Sequence, residues 1–174
     1  LFRDNRIINW CTDCQTTISD LEVEYVDLDE SLTYARYPLV DGDAFVTIAT
    51  VRPATILADV AIAVHPDDER YAKLIGQQVL VPVVQRAVPV IADERVETDF
   101  GTGALKITPG HDPVDFGIGR DHGRPEPRVR GFDGRMPGHL PPESGGPPEE
   151  EAAAKGAAGP KGPDPTAAPR ARAP

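Results

Sequence analysis

The sequence of 174 residues predicts an α+β fold, in which a β-rich, barrel-like domain is followed by a disordered C-terminal tail. Three observations carry this prediction. Short alternating or β-branched segments recur along the first 124 residues, as in sheets built from many short strands. Few segments begin like helices, and the spacing lacks the regular strand–helix alternation of a parallel α/β fold. Beyond residue 124 the composition changes to Pro, Gly and Ala.

The strands are predicted from period-two alternation and from β-branched runs. Apolar and acidic residues alternate over 21–27, which indicates a half-buried strand. Residues 32–40 and 44–50 flank Asp41-Gly42, which predicts a hairpin. The other predicted strands are 61–64, 79–84, 88–92 and 104–108. In the last of these, Lys106 and Thr108 share one face because side chains alternate along a strand.

Three segments predict helices. Residues 54–58, after Pro53, are expected to form a short helix. His65-Pro66-Asp67 opens the clearest one, with acidic residues at its start and Gly76 just past its end. Asp112-Pro113 is expected to begin the last, with Asp112 as N-cap and proline in the first turn.

Composition separates a tail over 125–174 from the rest of the chain. The Cys-x-x-Cys motif defines a connecting segment over 1–20, which precedes a domain over 21–124. The tail holds 12 of the 19 prolines and few large apolar residues. Such a segment buries too little apolar surface to offset its ordering entropy, which predicts disorder. A natural linker and an out-of-frame translation both explain this composition.

The formal net charge of -10 argues against tight binding of nucleic acid, because phosphates are neutralised by Lys and Arg. No apolar run is long enough to span a membrane. The beginning of the chain shows no signal segment, and two cysteines are too few for a disulfide framework. The sequence therefore predicts a soluble, cytoplasmic protein without a membrane partner.

Cys11 and Cys14 form a Cys-x-x-Cys pair, which supplies two of the four ligands of a tetrahedral zinc site. No second pair follows, so zinc is possible here only with ligands from sequence outside this chain. An inert pair of cysteines is the alternative, and a redox pair fits less well because no thioredoxin-like pattern surrounds it.

Three further clusters carry polar groups that suit a binding site. Thr50, Arg52 and Thr55 lie around a strand end, where they present hydroxyls and a cation to an ester or phosphate. Lys106 and Thr108 follow a glycine turn, and His111-Asp-Pro-Val-Asp115 starts a helix. Ordinary structural roles are the alternative: a strand-to-helix turn, a solvent-facing pair, and a capped helix. The pattern alone favours these roles for the first and the last cluster.

Together these motifs resemble, in order, the inserted editing domain of the valyl-tRNA synthetases. The resemblance lies in Asn9–Glu24, Ala49-Thr-Val-Arg-Pro-Ala-Thr55, Ala61–Tyr71 and Asp99–Pro113, and it covers nearly all of residues 1–124. Isoleucyl and leucyl enzymes share the threonine-rich and His-Asp-Pro elements. The resemblance implies a β-rich editing domain of the valyl/isoleucyl/leucyl type, present as a fragment.

The resemblance also implies a function, the hydrolysis of threonine wrongly esterified to valine tRNA. Asp115 would hold the substrate ammonium, with Lys106 and Thr108 as its catalytic neighbours. A positioned water would attack the ester, and no cofactor is needed. The substrate and the terminal adenosine at the tRNA 3′ end would contact Thr50, Arg52, Thr55, His111 and Asp112, with Phe100 as an apolar wall.

The sequence departs from this family at several points. Ala54 stands where glutamate is usual, and Gly110 where alanine is common. After Gly123 only Phe132-Asp-Gly-Arg-Met136 retains the family's turn, and the prolines at 125 and 127 do not suit a central strand. Two alternatives therefore stay open, an inactive truncated or frame-shifted relative and a free-standing deacylase that edits in trans. Bare tRNA is expected to bind weakly.

Overall fold

The structure, a computed structural model, describes residues 3–27 and 29–136. This part contains eight strands and one α-helix: β1 Trp10–Cys11, β2 Thr16–Thr17, β3 Thr33–Pro38, β4 Phe45–Thr50, β5 Ala61–Val64, β6 Gln78–Leu80, β7 Ala87–Ala92, β8 Ala104–Ile107 and α1 Pro113–Asp121. Short 3-10 helices span Asp20–Glu22, Pro53–Ala58 and Ala72–Leu74. The predicted α+β class is confirmed.

The described strands form three sheets and do not close into one barrel. β1 and β2 form a small hairpin, and β3 pairs with β4 in the antiparallel hairpin predicted around Asp41-Gly42. The third sheet has the order β6-β7-β5-β8, in which β5 and β7 are parallel and the other pairs antiparallel. A single bridge between Leu39 and Val79 connects the large hairpin to β6.

The main core lies between the β3–β4 hairpin and the four-stranded sheet. Alternate residues of the hairpin point inward, because side chains alternate along each strand. The buried apolar side chains at this interface are Tyr37, Val46, Ile48, Ile62, Val64, Val79 and Val90. The core therefore fixes the hairpin over the face of β5 and β8 from which the polar residues described below project.

Three predicted elements are wrong in type or extent. Residues 21–27 form no strand, since no neighbouring strand pairs with them: Leu21 is 98% exposed and Val26 72%. The helix predicted from His65 shrinks to Ala72–Leu74. The Asp68 carboxylate accepts the backbone N–H of Arg70 at 3.0 Å, which favours turns over residues 66–71. The strand predicted over 79–84 ends at Leu80.

The packed part of the chain extends past the predicted boundary at residue 124. Val129 and Met136 are buried against Ala54, Leu57 and Ala58. An alanine at position 54 therefore lies in an apolar cluster. From residue 137 onward the tail lies outside the described residues. The disorder predicted for that segment therefore stays a prediction. No helix within the described residues is long and apolar enough to cross a membrane.

Candidate active site

One cleft of about 730 Å³ gathers all nine side chains that the sequence predicted for substrate contact and catalysis. They come from the end of β4, the 3-10 helix after it, the glycine turn, β8 and the start of α1. The nine are Thr50, Arg52, Thr55, Phe100, Lys106, Thr108, His111, Asp112 and Asp115. Their proximity is a structural fact, and their individual roles stay predictions.

Lys106 is the centre of a buried polar network at the base of the cleft. Its Nζ donates to Thr55 Oγ1 at 2.7 Å, to Thr108 Oγ1, and to Asp59 Oδ1 at 3.3 Å. An ammonium has three N–H groups, so these three acceptors satisfy it fully. Lys106 therefore orients the two threonine hydroxyls around a fixed charge.

Asp59 is the residue that the sequence analysis missed. It is fully buried, and its carboxylate accepts Tyr37 Oη at 2.5 Å and Thr108 Oγ1 at 3.1 Å in addition to Lys106. Burial raises the pKa of Asp59, and the Lys106 charge and these hydrogen bonds oppose that rise. In the sequence, Asp59 is the single acidic residue in the mostly apolar stretch 54–64. This position could have identified it, because a carboxylate in a buried segment needs a buried partner.

Asp115 faces the cleft from the first turn of α1. One carboxylate oxygen accepts the backbone N–H of Thr108 at 2.8 Å, which leaves the other for a ligand in the cleft. Burial raises the pKa of Asp115 to about 6. Asp112 caps the same helix as predicted, since its side chain accepts the N–H groups of Val114 and Asp115 at 2.8 and 3.1 Å. Among the carboxylates that line the cleft, that of Asp115 is therefore the one whose charged form a cationic ligand would stabilise most.

His111 serves as a hydrogen-bond acceptor. Its Nε2 accepts the backbone N–H of Val129 at 2.9 Å, so the ring is neutral in this arrangement. Burial lowers the pKa of His111 to about 4, and nearby cationic side chains add to that shift. The ring is thus engaged with the backbone, and no threonine hydroxyl of the network is hydrogen-bonded to it. The network gives no sign of a hydroxyl nucleophile activated by histidine.

In the threonine-rich turn, two threonine hydroxyls form hydrogen bonds with the backbone of Arg52, and the Arg52 side chain is exposed at the cleft. Thr50 Oγ1 accepts the Arg52 N–H at 3.1 Å, and Thr55 Oγ1 donates to the Arg52 carbonyl at 2.9 Å. Phe100 is 57% exposed and lines the same cleft as this turn. The cleft thus combines a cation, an aromatic surface and a buried polar floor.

Cys11 and Cys14 lie apart from the cleft on the β1–β2 hairpin. The Cys14 N–H donates to Cys11 Sγ at 3.3 Å, and this bond heads the causes that lower the pKa of the Cys11 thiol. Among the described residues, no group of three or more Cys, His, Asp or Glu side chains is arranged to hold a metal. The two thiols alone fall short of the four ligands that structural zinc requires.

Comparison with known proteins places these motifs in a defined context. Residues 1–137 match the family model for tRNA synthetases class I (I, L, M and V). The chain is 54% identical over 136 residues to the valine–tRNA ligase of Carboxydothermus hydrogenoformans, covering 78% of this chain and 16% of that protein. It is 51% identical over 145 residues to the valine–tRNA ligase of Dehalococcoides mccartyi, covering 83% of this chain and 16% of that protein.

A solved ternary complex of LeuRS with tRNA and LeuAMS from Agrobacterium radiobacter K84 also matches this chain. The identity is 23% and the TM-score 0.48, covering 57% of this chain and 16% of that one. The chain thus spans about a sixth of the length of the curated relatives it matches.

Proposed function

The chain belongs to the class I tRNA synthetases, and from this premise we propose that it carries the editing site of a valine–tRNA ligase. The proposed reaction is hydrolysis of threonine esterified to tRNA(Val). The observation that carries the proposal is the Asp115 carboxylate, which lies in a cleft floored by oriented hydroxyls and an ammonium. Support for the valyl assignment comes from the identity to valine–tRNA ligases over most of the chain.

The chemistry of the substrate explains why such a site is useful. A hydrophobic pocket that accepts valine rejects threonine only about 10²-fold in the valyl enzymes, because the two side chains are nearly isosteric. A second site that hydrogen-bonds the threonine hydroxyl rejects valine more strongly, because valine leaves buried polar groups without partners. The Thr55–Lys106–Thr108 network supplies polar groups of this kind at the base of the cleft.

In the proposed arrangement Asp115 binds the α-ammonium of the threonyl ester. The positive charge of the Lys106 ammonium, which the Thr55 and Thr108 hydroxyls hold at the base of the cleft, stabilises the ester oxygen as negative charge develops on it. A water held among these groups attacks the carbonyl carbon, the bond from that carbon to the ribose oxygen breaks, and the proton that the water loses passes to that oxygen. Threonine and free tRNA leave, and no covalent enzyme intermediate forms. Arg52 and Phe100, which line the same cleft, are proposed to contact the terminal adenosine.

We propose that this hydrolysis needs no cofactor and that Cys11 and Cys14 are half of a zinc site completed by sequence outside the chain. The 3′ end of tRNA(Val) is the proposed partner, and bare tRNA binds weakly because a body with a formal charge of -10 repels the phosphate backbone. A chelator is therefore expected to leave the deacylation rate unchanged.

The test is deacylation of threonyl-tRNA(Val) by the purified full chain. Wild type is expected to hydrolyse the ester well above the spontaneous rate, and Asp115→Ala to return it to that rate. The matched control is Asp67→Ala, an exposed acid outside the cleft, which should keep wild-type activity. Equal background rates for wild type and Asp115→Ala would favour the inactive alternative.

A further inference from the structure

Two side chains that follow β5 are hydrogen-bonded to the glycine turn, residues 100–103, and to the chain that leads into it. Tyr71 Oη donates to the Thr102 carbonyl at 2.8 Å. Arg70 Nη2 donates to the Thr98 carbonyl at 2.9 Å. Neither side chain lines the cleft, and neither has a role in the proposed reaction. We call Arg70 and Tyr71 the turn anchors.

The turn anchors are themselves held by the body of the domain. The ring of Tyr71 packs against the main core. The Arg70 guanidinium is bound by the Asp68 carboxylate, which accepts Nε at 2.9 Å and Nη2 at 2.6 Å. Asp68 is buried, and its backbone N–H donates to the His65 carbonyl at 3.1 Å. The anchors therefore connect the glycine turn to a part of the fold that the core fixes.

Gly103 permits the close approach between Arg70 and the turn. Its φ of +77° lies in the left-handed region that favours glycine. A Cβ at this position would overlap Arg70 Nη2 and would lie 2.8 Å from the Thr98 carbonyl oxygen. A side chain at position 103 would thus separate the donor from its acceptor, so the anchor and the glycine depend on each other.

The two anchored carbonyls lie on either side of Phe100, one two residues before it and the other two residues after it. The Phe100 ring lines the cleft and is 57% exposed, so core packing does not fix its position. Within the turn, the Gly103 N–H donates to the Phe100 carbonyl at 2.9 Å. The place of this ring in the cleft wall is therefore set by the backbone of the turn, which the anchors hold.

We propose that Arg70 and Tyr71 are positioning residues of the editing site, which act by holding the glycine turn so that Phe100 meets the adenosine of the substrate. This proposal rests on the proposed function, in which Phe100 contacts that adenosine. A wall that is already ordered binds its ligand with a smaller loss of conformational freedom. The anchors make no hydrogen bond to the Lys106 network. They affect binding of the substrate and leave the hydrolytic step unchanged.

The experiment measures binding of 3′-deoxy-3′-(threonylamino)adenosine, in which an amide replaces the ester, to the full chain by calorimetry. Tyr71→Phe removes only the hydroxyl that donates to Thr102 and keeps the ring in the core. Phe100→Ala and the double variant complete a double-mutant cycle. Tyr34→Phe is the matched control, because Tyr34 is an exposed tyrosine on the outer face of β3 and does not line the cleft.

Tyr71→Phe is expected to weaken binding of the analogue about threefold to tenfold, the range for loss of one hydrogen bond. In the Phe100→Ala background the same substitution should change affinity by less than about twofold, because the ring through which it acts is absent. Deacylation of threonyl-tRNA(Val) should show a KM raised by a similar factor and an unchanged kcat. A general loss of stability would not depend on Phe100 in this way.

The other anchor is tested by Arg70→Lys. This variant keeps a cation beside the buried Asp68 carboxylate and loses the planar fork that joins Asp68 to the Thr98 carbonyl. It should weaken binding of the analogue to a similar extent, again only when Phe100 is present.

The outcomes separate this proposal from the function on which it rests. If the wild-type chain binds the analogue and Tyr71→Phe binds it equally well, the turn anchors are overturned. A loss that persists in the Phe100→Ala background, or an equal loss for Tyr34→Phe, also overturns them. If the wild-type chain does not bind the analogue, the proposed editing function itself fails.

Discussion

The carboxylate of Asp115 accepts the backbone N–H of Thr108 at 2.8 Å and thereby ties helix α1 to the end of β8. This bond joins the ammonium-binding candidate to the polar floor of the cleft. A ligand held by Asp115 is consequently placed at a fixed distance from the Lys106 network. The four predictions that follow test this arrangement and the packing around it.

Replacing Asp115 by Asn should stabilise the protein at neutral pH. The pKa of Asp115 in the folded chain, about 6, exceeds the ordinary 3.8. The folded state thus binds more protons than the unfolded state between these values, and its stability falls as pH rises through that window. Asparagine keeps an acceptor for the Thr108 N–H and carries no charge. We expect the free energy of unfolding at pH 7.5 to rise by about 1–2 kcal/mol.

Urea denaturation at pH 7.5 and pH 4 measures this effect. The gain for Asp115→Asn should vanish at pH 4, where the wild-type carboxyl is protonated. Asp67→Asn serves as the control and should change stability by less than about 0.5 kcal/mol at both pH values. A variant less stable than wild type at pH 7.5 would contradict the account of a costly buried carboxylate.

Binding of 3′-deoxy-3′-(threonylamino)adenosine, a non-hydrolysable analogue of the threonyl ester, should weaken as pH falls below about 6. Protonation of Asp115 removes the charge that attracts the ligand ammonium, so affinity should drop about tenfold per pH unit well below its pKa. Calorimetric titrations between pH 4.5 and 7.5 measure the profile. Asp115→Asn should bind the analogue weakly, with an affinity that does not fall further below pH 6. If the affinity of this variant still falls below pH 6, the titrating group is not Asp115.

Replacing Asp59 by Asn should destabilise the fold. Lys106 would lose the carboxylate that balances its buried charge, and breaking a buried ion pair from one side costs about 3–5 kcal/mol. Thermal and urea unfolding measure the loss. The control is Asp41→Asn in the exposed turn of the large hairpin. Similar stability for the two variants would mean that Asp59 contributes little to holding Lys106 in place.

Met136→Ala should also destabilise the domain, by about 2 kcal/mol, because it opens a cavity against Ala54, Leu57 and Ala58. The matched control is Val26→Ala, since Val26 is 72% exposed. Chemical denaturation of the full chain compares the two. If Met136→Ala unfolds at the wild-type denaturant concentration, residues beyond 124 are not part of the cooperative domain.

Much of the fold and of the cleft follows from local patterns. The hairpin over β3 and β4, the buried strand β5 and the capped start of α1 were predicted, because alternation, a turn dipeptide and an N-cap act over a few residues. The alternation that puts Lys106 and Thr108 on one face of β8 also follows from the sequence alone. That the three clusters at 50–55, 100–108 and 111–115 meet in one cleft was expected only from the resemblance to the synthetases.

The misses depend on contacts distant in sequence. Residues 21–27 alternate like a strand but have no partner in the described part of the chain, and alternation alone does not provide one. The partner of Asp59 is Lys106, 47 residues away, and nothing local to Asp59 identifies it. Val129 and Met136 were assigned to the tail because large apolar residues are few there, and their packing partners Ala54, Leu57 and Ala58 are distant in sequence.

The most direct test of the central claim is the ratio of deacylation rates for threonyl-tRNA(Val) and valyl-tRNA(Val) with the full chain at pH 7.5. Because threonine can donate its hydroxyl to the Thr55 or Thr108 oxygen at the base of the cleft and valine cannot, we expect threonine to be removed at least about 100-fold faster, with both rates falling to the spontaneous rate in Asp115→Asn. Equal rates for the two esters, or a preference unchanged in Asp115→Asn, would contradict an editing site in this cleft.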